Sequence, residues 1–457
     1  MINIQNKEAY DISTLQKDKI KINNTEYTIT NVEYYDDTYD EGNIFGTAIS
    51  RCLEFEIENI IDLEGTEFEY FTGLKTENGI NWISLGNFIT QSIEPNDKTE
   101  SNKVFAIDYM LKSNIPYESN LDYKSGKITM LQVLEEVCSK SGIVLATKDF
   151  PNKNFIVDSN QFETEAINKQ VIIAVAQMSG TIAKIKNDNK LYLINPNKIT
   201  TISKIFTLNN YEEAEIKRQT HPINVVSIGM QDVEGENITL KDDTSIEILG
   251  EENTIVFNDN PFAYTQQKRE QLITALFNAI KGFEYKAFSF KCQGLPYLET
   301  LDKIQFRDKA NNLYDSYILR FNYKSPNGLD SIIEAPSTIK ATVEYQNVPN
   351  ALEIAKHTEY LVDKANQKII EIVKETTENS ERIAQQQITL NGITQTVGNM
   401  GEYKRKVEGI TQIHITEAEN LDILHLEIDG NKTYENYLYP CEDLYPCEDL
   451  YPNMEVL

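Results

Sequence analysis

Histidine and tryptophan are nearly missing from this chain, with four and one among 457 residues. The histidines, at 221, 357, 414 and 425, lie far apart and share no ligand spacing. His414 and His425 sit in the alternating stretches ITQIHITEA and LDILHLEID, which reads as strand. HExxH, GxSxG, a Walker loop and GxGxxG are absent, so the common metalloprotease, hydrolase and nucleotide-binding spacings are excluded. No catalytic, cofactor-binding or metal-binding residue is nominated. The paired acids Glu135–Glu136 and Asp242–Asp243 read as solvated charge, because 71 acidic residues make adjacency common.

Long apolar runs are missing too. The longest resemble VIIAVA at 171–176, far short of the roughly 18 residues of a membrane span. The opening MINIQNKEAYDIS has no apolar stretch of a secretory signal, so synthesis in a cytosol is expected. Basic residues are outnumbered 43 to 71, a net charge of −28. Gripping nucleic acid by its phosphates needs clustered Lys and Arg, so that class is excluded. A surface that nucleic acid slides past is not.

Cysteine is scarce at five residues. Cys52, Cys138 and Cys292 stand singly in apolar surroundings and read as small buried hydrophobes. Cys441 and Cys447 are paired by an exact repeat, LYPCED, at 438–443 and 444–449, with a decayed third copy from Leu450. Zinc would need four ligands, which only a trimer crowding six thiols could supply. A disulfide and free thiols are the other readings. The repeat is better explained as an extended Leu-Tyr-Pro ladder, in which Pro fixes the backbone and Leu and Tyr anchor it.

What is present is β pattern, interrupted by helix. LEFEIE (53–58) puts Leu53, Phe55 and Ile57 on one face and glutamates on the other, and EFEYF (67–71) does the same. Gly65, Gly73, Gly79 and Gly86 read as punctuation, and NWISLGNFI as a strand with a turn or bulge at Gly86. A small barrel or sandwich follows for the first 110 or so residues. Met130, Leu131, Leu134, Val137 and Cys138 recur at helical spacing before Gly142. Val171, Ile172, Val175, Ala176 and Met178 repeat the device before Gly180. The endings KSGIVLA and MSGTIAK predict two helix-to-strand units, and LYLINP adds a strand.

Strand patterns resume at 203–207, 223–229 and 236–240, and again in FEYKAFSFKC, DKIQFRD and YDSYILRFNY. Between them a helix is predicted over 260–282, opened by Asn260–Pro261 and closed by Gly282. From Ala355, steps of seven give Ala355, Val362, Ile369, Thr376, Ile383, Leu390 and Val397. Ile369 and Ile372 fill both core positions of one layer, which leans toward three strands; a solvated single helix is the plain alternative. The fold class is therefore α+β and β-rich. A β-barrel-like domain (1–117), an α+β module (118–205) and a second barrel-like domain (206–345) precede a trimeric coiled coil (346–400). A C-terminal β segment (401–457) ends the chain.

LGNFI (85–89), VFAIDYMLKSNIPY (104–117), TMLQVLEEVCSKSGIVL (129–145), DFPNKNFIV (149–157) and VIIAVAQMSGTIAKIKNDNKLYLINP (171–196) follow one another in that order. The series resembles the tail hub, or tail-associated, proteins of long-tailed bacteriophages of low-GC Gram-positive bacteria. Their core is similar to the central hub of contractile baseplates. The resemblance covers most of residues 1–345 and extends to the heptads and LYP repeats. It implies a homotrimer whose two barrel-like domains per chain form a pseudo-sixfold ring. That ring would dock on the distal tail protein, meet the tape measure protein and close or gate the DNA-exit channel. Three chains at −28 each carry −84, which suits a wall that DNA passes without specific binding. The implied location is the virion tail tip, after synthesis in the host cytoplasm, with no membrane span and no cofactor.

Two departures matter. Many relatives continue into a peptidoglycan-cleaving domain, and this chain shows no residues for one, so it is not expected to be an enzyme. The glycine usual before LYLI is Asn189, which also tolerates turn geometry. The chain stops just after the repeats, consistent with a truncated or minimal hub. A receptor-binding fibre, with residues after 400 contacting the host cell surface or other receptor-binding proteins, is the alternative function. A tail-associated cell-wall hydrolase is the weakest.

Overall fold

The computed structural model describes residues 16–345 apart from short stretches at 40–43, 59–62, 64, 77–78, 97–100, 164–165, 231–236, 294, 326–329, 338 and 340. Beyond 345 it describes only four short strands. The predicted coiled coil, apart from Gln387–Ile388, which is strand, His357 and the LYPCED repeats with Cys441 and Cys447 lie outside the described residues.

Six antiparallel strands open the chain: β1 (Gln16–Ile22), β2 (Thr25–Asp37), β3 (Cys52–Glu58), β4 (Glu67–Thr76), β5 (Gly79–Asn96) and β6 (Ser101–Asp108). Their order is β1-β4-β5-β6-β3-β2, and β1 pairs with both β4 and β2, so the ring closes into a barrel. Alternation fills it as predicted: Leu53, Phe55, Ile57, Phe68 and Tyr70 are all buried. The Tyr70–Phe71 step of β4 faces Gly86 and Ser84, which leaves Leu85 as the extra residue of a bulge. Gly73 is not punctuation. It lies inside β4, where a Cβ would stand 2.5 Å from the Trp82 ring.

The chain then builds α1 (Met130–Lys140), β7 (Val144–Leu145), α2 (Asn168–Ser179), β8 (Ile182–Ile185) and β9 (Lys190–Ile194). Thr129 caps α1 with a reciprocal Gln132 contact, and Gly180 ends α2 in the left-handed region. β9 is central, parallel to β7 and antiparallel to β8, so the two helix-to-strand units flank one strand. Every residue of α2 is buried, which takes in Asn168, Lys169, Gln170, Gln177 and Ser179 as well as the apolar run 171–176.

β10 (Ile202–Phe206), β11 (Tyr211–Gln219), β12 (Val225–Gly229), β13 (Ile238–Lys241), α3 (Asp243–Leu249), β14 (Thr254–Asn258) and α4 (Gln266–Ile280) follow. The predicted helix start is corrected: Asn260 caps a single 3-10 turn, Pro261–Ala263, and α4 begins after its own cap, Thr265. Asp242 is likewise no idle charge, since its carboxylate accepts from Ser245 N and caps α3.

The rest of this unit is β15 (Lys286–Gln293), β16 (Lys303–Arg307), β17 (Leu313–Tyr317), β18 (Arg320–Lys324), β19 (Asp330–Ala335) and β20 (Thr342–Glu344). YDSYILRFNY is thus two strands, broken at Ile318–Leu319. β18, β19, β15 and β11 extend the barrel sheet in that order, ten strands in all. β10, β16 and β17 form a separate three-stranded sheet. The two sheets meet through Phe206, Phe288, Phe290 and Phe306, with Phe290 and Phe306 edge-on at 5.0 Å. β13, β12, β14 and β20 make a mixed sheet against which α4 packs.

Residues 354–457 form a second compact unit. In it Gln387–Ile388 pairs with Ile413–His414, and His425–Ile428 pairs with Lys432–Glu435, so both histidines occupy strands.

Candidate functional site

The contacts that fix the parts of this fold to one another converge on one buried stretch. Residues 44–51, IFGTAISR, are all buried yet form no strand. Buried backbone without a ladder must find partners elsewhere. Gly46 N donates to Thr181 O at 2.8 Å, and Ala183 N to Thr47 O at 2.8 Å, which ties the stretch to the start of β8. Gly46 has φ +78, and a Cβ there would lie 2.1 Å from Gln177 Cγ. Only glycine fits on both counts.

Arg51 ends this stretch, 1 % exposed, and lies between the barrel and the α+β module. Its Nε donates to Asp108 Oδ2 at 2.9 Å and its Nη1 to Leu85 O at 2.9 Å; it also donates to Asn187 Oδ1. Burial pushes the Asp108 carboxyl up, and Arg51 opposes that shift. Gly86, beside Leu85, has φ +94, and a Cβ there would meet Asn189, Arg51 and Asn187 within 3.2 Å. Asn189 takes φ 63, so it replaces a turn glycine without strain severe enough to exclude it. Its amide exchanges two hydrogen bonds with Asn87, at 2.6 and 3.0 Å.

A second buried pair reaches the 206–345 segment. Lys184 on β8 lies 2.6 Å from Asp36 Oδ2 on β2, and both touch Thr300. Alongside, β2 and β18 pair from Glu33–Lys324 to Asp37–Arg320, the seam that joins the barrel to the rest of the sheet. Its outward side chains form ion pairs: Lys324 with Glu33 at 2.8 Å, and Arg320 with Asp37 at 3.0 Å and Glu334 at 2.7 Å. Burial pushes Asp37 up to about 6 despite Arg320, with Asp36 and Glu334 adding to the rise.

The remaining titratable groups form no catalytic constellation among the described residues. His221 is exposed and lies 3.3 Å from Glu251. Cys52, Cys138 and Cys292 are buried, and burial with nearby Glu135 holds the Cys138 thiol up at about 12, an inert position. Glu135 pairs with Lys148, whereas Glu136 accepts from Ser119 and from Asn120 N and so fastens a loop onto α1. Among the described residues no three His, Cys, Asp or Glu side chains are grouped to hold a metal ion. No helix there is long and apolar enough to cross a membrane.

No protein-family model and no curated protein matches the sequence. Among solved structures, the chain is similar to phage tail proteins. One is a tail protein from Neisseria meningitidis, at TM-score 0.49 and 11 % identity over 72 % of this chain and 99 % of that one. Another is the 43 kDa tail protein of prophage MuSo2 from Shewanella oneidensis, at TM-score 0.45 and 12 % identity over 70 % and 98 %. A third is prophage tail protein gp18 from Listeria monocytogenes, at TM-score 0.42 and 12 % identity over 70 % and 95 %.

The sequence reading had nominated no site residue, and it missed this junction. Asn189 and the stretch LGNFI with Gly86 are its points of contact. Arg51, Asp36 and Lys184 gave no signal, because their partners lie far along the chain.

Proposed function

We propose that this chain is a structural protein of a phage tail tip, acting as a hub in which three copies assemble around the DNA-exit channel. One observation carries the reading: two β units within each chain share a single hydrogen-bonded sheet across the β2–β18 seam. Three such chains supply six β units, the number a pseudo-sixfold ring requires. The buried contact of Lys184 with Asp36 and Thr300 supports it further, since a ring subunit must hold its two β units at a fixed angle. The ordered sequence resemblance to tail hub proteins points the same way, as does the net charge of −28 for a wall past which DNA slides. On this reading the distal tail protein and the tape measure protein are its neighbours, and the chain has no enzymatic role.

Solution mass with low-resolution imaging tests the proposal. A trimer with a three-fold ring is expected, and a monomer at micromolar concentration would overturn it. Zymography on peptidoglycan tests the non-enzymatic role, with no clearing expected.

A further inference from the structure

A cleft of about 730 Å³ opens between the loop that follows β7 and the first turns of α4. It lies on the face of the α+β module and takes no part in the junction described above. Its walls come from distant parts of the chain but are fastened together. Asn152 Nδ2 donates to Met178 O at 2.7 Å and to Leu272 O at 3.0 Å, bridging α2 and α4. Lys268 Nζ donates to Ile156 O at 3.0 Å, closing the same gap from the other side. The cleft is preformed, as ligand sites of this volume usually are.

Its charges are already used. Lys268 lies 2.8 Å from Asp158, whose other oxygen accepts from Tyr264 Oη, and Lys153 lies 2.8 Å from Asp149. Such a lining offers no spare cation for an anion and no spare carboxylate for a metal ion. An anionic polymer is further disfavoured by the chain's excess of acid. Nor does the cleft offer a deep apolar hole for a peptide side chain, because Phe150 is 6 % exposed and packed into the core.

What remains free is carboxamide. Asn154, Gln267 and Gln271 are exposed, and their side-chain amides make no hydrogen bond among the described residues. Gln267 and Gln271 stand four apart on α4, so they share one face. Each amide presents a donor beside an acceptor, the pattern that matches a pair of adjacent hydroxyls. Half-buried Phe155 supplies an apolar edge in the same cleft, with Lys268 Nζ over its ring at 5.1 Å. Uncharged, polyhydroxylated and apolar on one face describes a sugar ring.

We infer that the cleft formed by Asn154, Phe155, Gln267 and Gln271 binds a neutral oligosaccharide. The site is independent of the hub reading, because it lies within one chain.

Titration of the full chain with chitotetraose and, separately, cellotetraose tests this by ligand-observed NMR and calorimetry. Millimolar binding of at least one sugar is expected. Preference for chitotetraose identifies an acetamido sugar, and equal binding identifies hydroxyl recognition alone; both support the site. Gln267→Ala with Gln271→Ala changes only exposed helix positions, so the melting temperature should hold while affinity falls at least about tenfold. Phe155→Ala should weaken binding similarly. No binding of either sugar at about 10 mM, or wild-type affinity in the glutamine double variant, would overturn the inference.

Discussion

The two β units solve the same problem differently. The strands of 16–108 close on themselves, so each inner strand pair is hydrogen-bonded on both sides and the core of Phe55, Phe68 and Phe88 is sealed by the ladder. Apart from β12 to β14, the strands of 202–335 form two sheets held face to face by Phe206, Phe288, Phe290 and Phe306, and β11 ends the ten-stranded sheet as an edge. Exposed Glu213, Glu215 and Arg218 on β11 discourage unwanted pairing there. A closed unit gains rigidity from its backbone, whereas an open one depends on side chains. The second unit should therefore loosen first, unless the locks to the first unit hold it.

The largest effect is expected at the lock itself. Arg51→Ala leaves Asp108 buried without its cation, which typically costs about 3–5 kcal/mol. Urea unfolding should show that loss, together with exposure of both the barrel and the α+β module. Gly46→Val should be at least as severe, because it forces a β-branched residue to positive φ against Gln177. Soluble full-length yield is its measure. If either variant is as stable as the wild type, the junction does not govern how the barrel and the α+β module are held.

Within the open unit, Phe306→Ala removes a ring that touches Phe288, Phe290 and Tyr314 and should cost about 3–5 kcal/mol if the site does not collapse. Amide exchange sharpens the comparison: β15, β16 and β17 should exchange faster while β3 to β6 stay protected. Equal loosening of both units would mean that they unfold as one. Arg320→Ala should act more weakly, about 1 kcal/mol, because the guanidinium is a third exposed and solvent screens it. Its effect should concentrate at the seam, in β18 and β19.

The closed unit was far more legible in sequence than the open one, and the reason is physical. LEFEIE and EFEYF alternate because Leu53, Phe55, Ile57, Phe68 and Tyr70 fill the barrel, although the outer face of β3 is itself partly covered, with Glu54 buried at 3.1 Å from Lys103. β11 reads YEEAEIKRQ, where charge at the sheet edge hides any period, and it was not predicted. IFGTAISR is apolar without a period of 2 or 3.6, because it is buried as coil and bonded to residues far away. The helices α1 and α2 announced themselves through spacing and a following glycine. The start of α4 was misplaced because Asn260–Pro261 caps a turn just before the real cap, Thr265. Local signals fix elements, but Arg51–Asp108, Lys184–Asp36 and the amide cleft are made by the topology.

The smallest effect is also the most specific to the seam. Asp37 has its folded pKa raised to about 6 from an ordinary value near 3.8, chiefly by burial. Between those values the folded state binds more protons than the unfolded one, so this group makes stability rise as pH falls from about 6 to about 4. The gain is bounded by about 3 kcal/mol, the opposing effect of Arg320 already being contained in the raised value. Asp37→Asn should remove that part of the slope and raise stability slightly at neutral pH. Acids such as Glu33 and Glu67, whose pKa values are lowered by lysine and tyrosine partners against burial, act oppositely and only at lower pH. Urea midpoints of wild type and Asp37→Asn at pH 4, 5, 6 and 7 separate the two contributions. If the curves run parallel, Asp37 does not titrate at the seam, and the pH dependence there belongs to other acids such as Glu33.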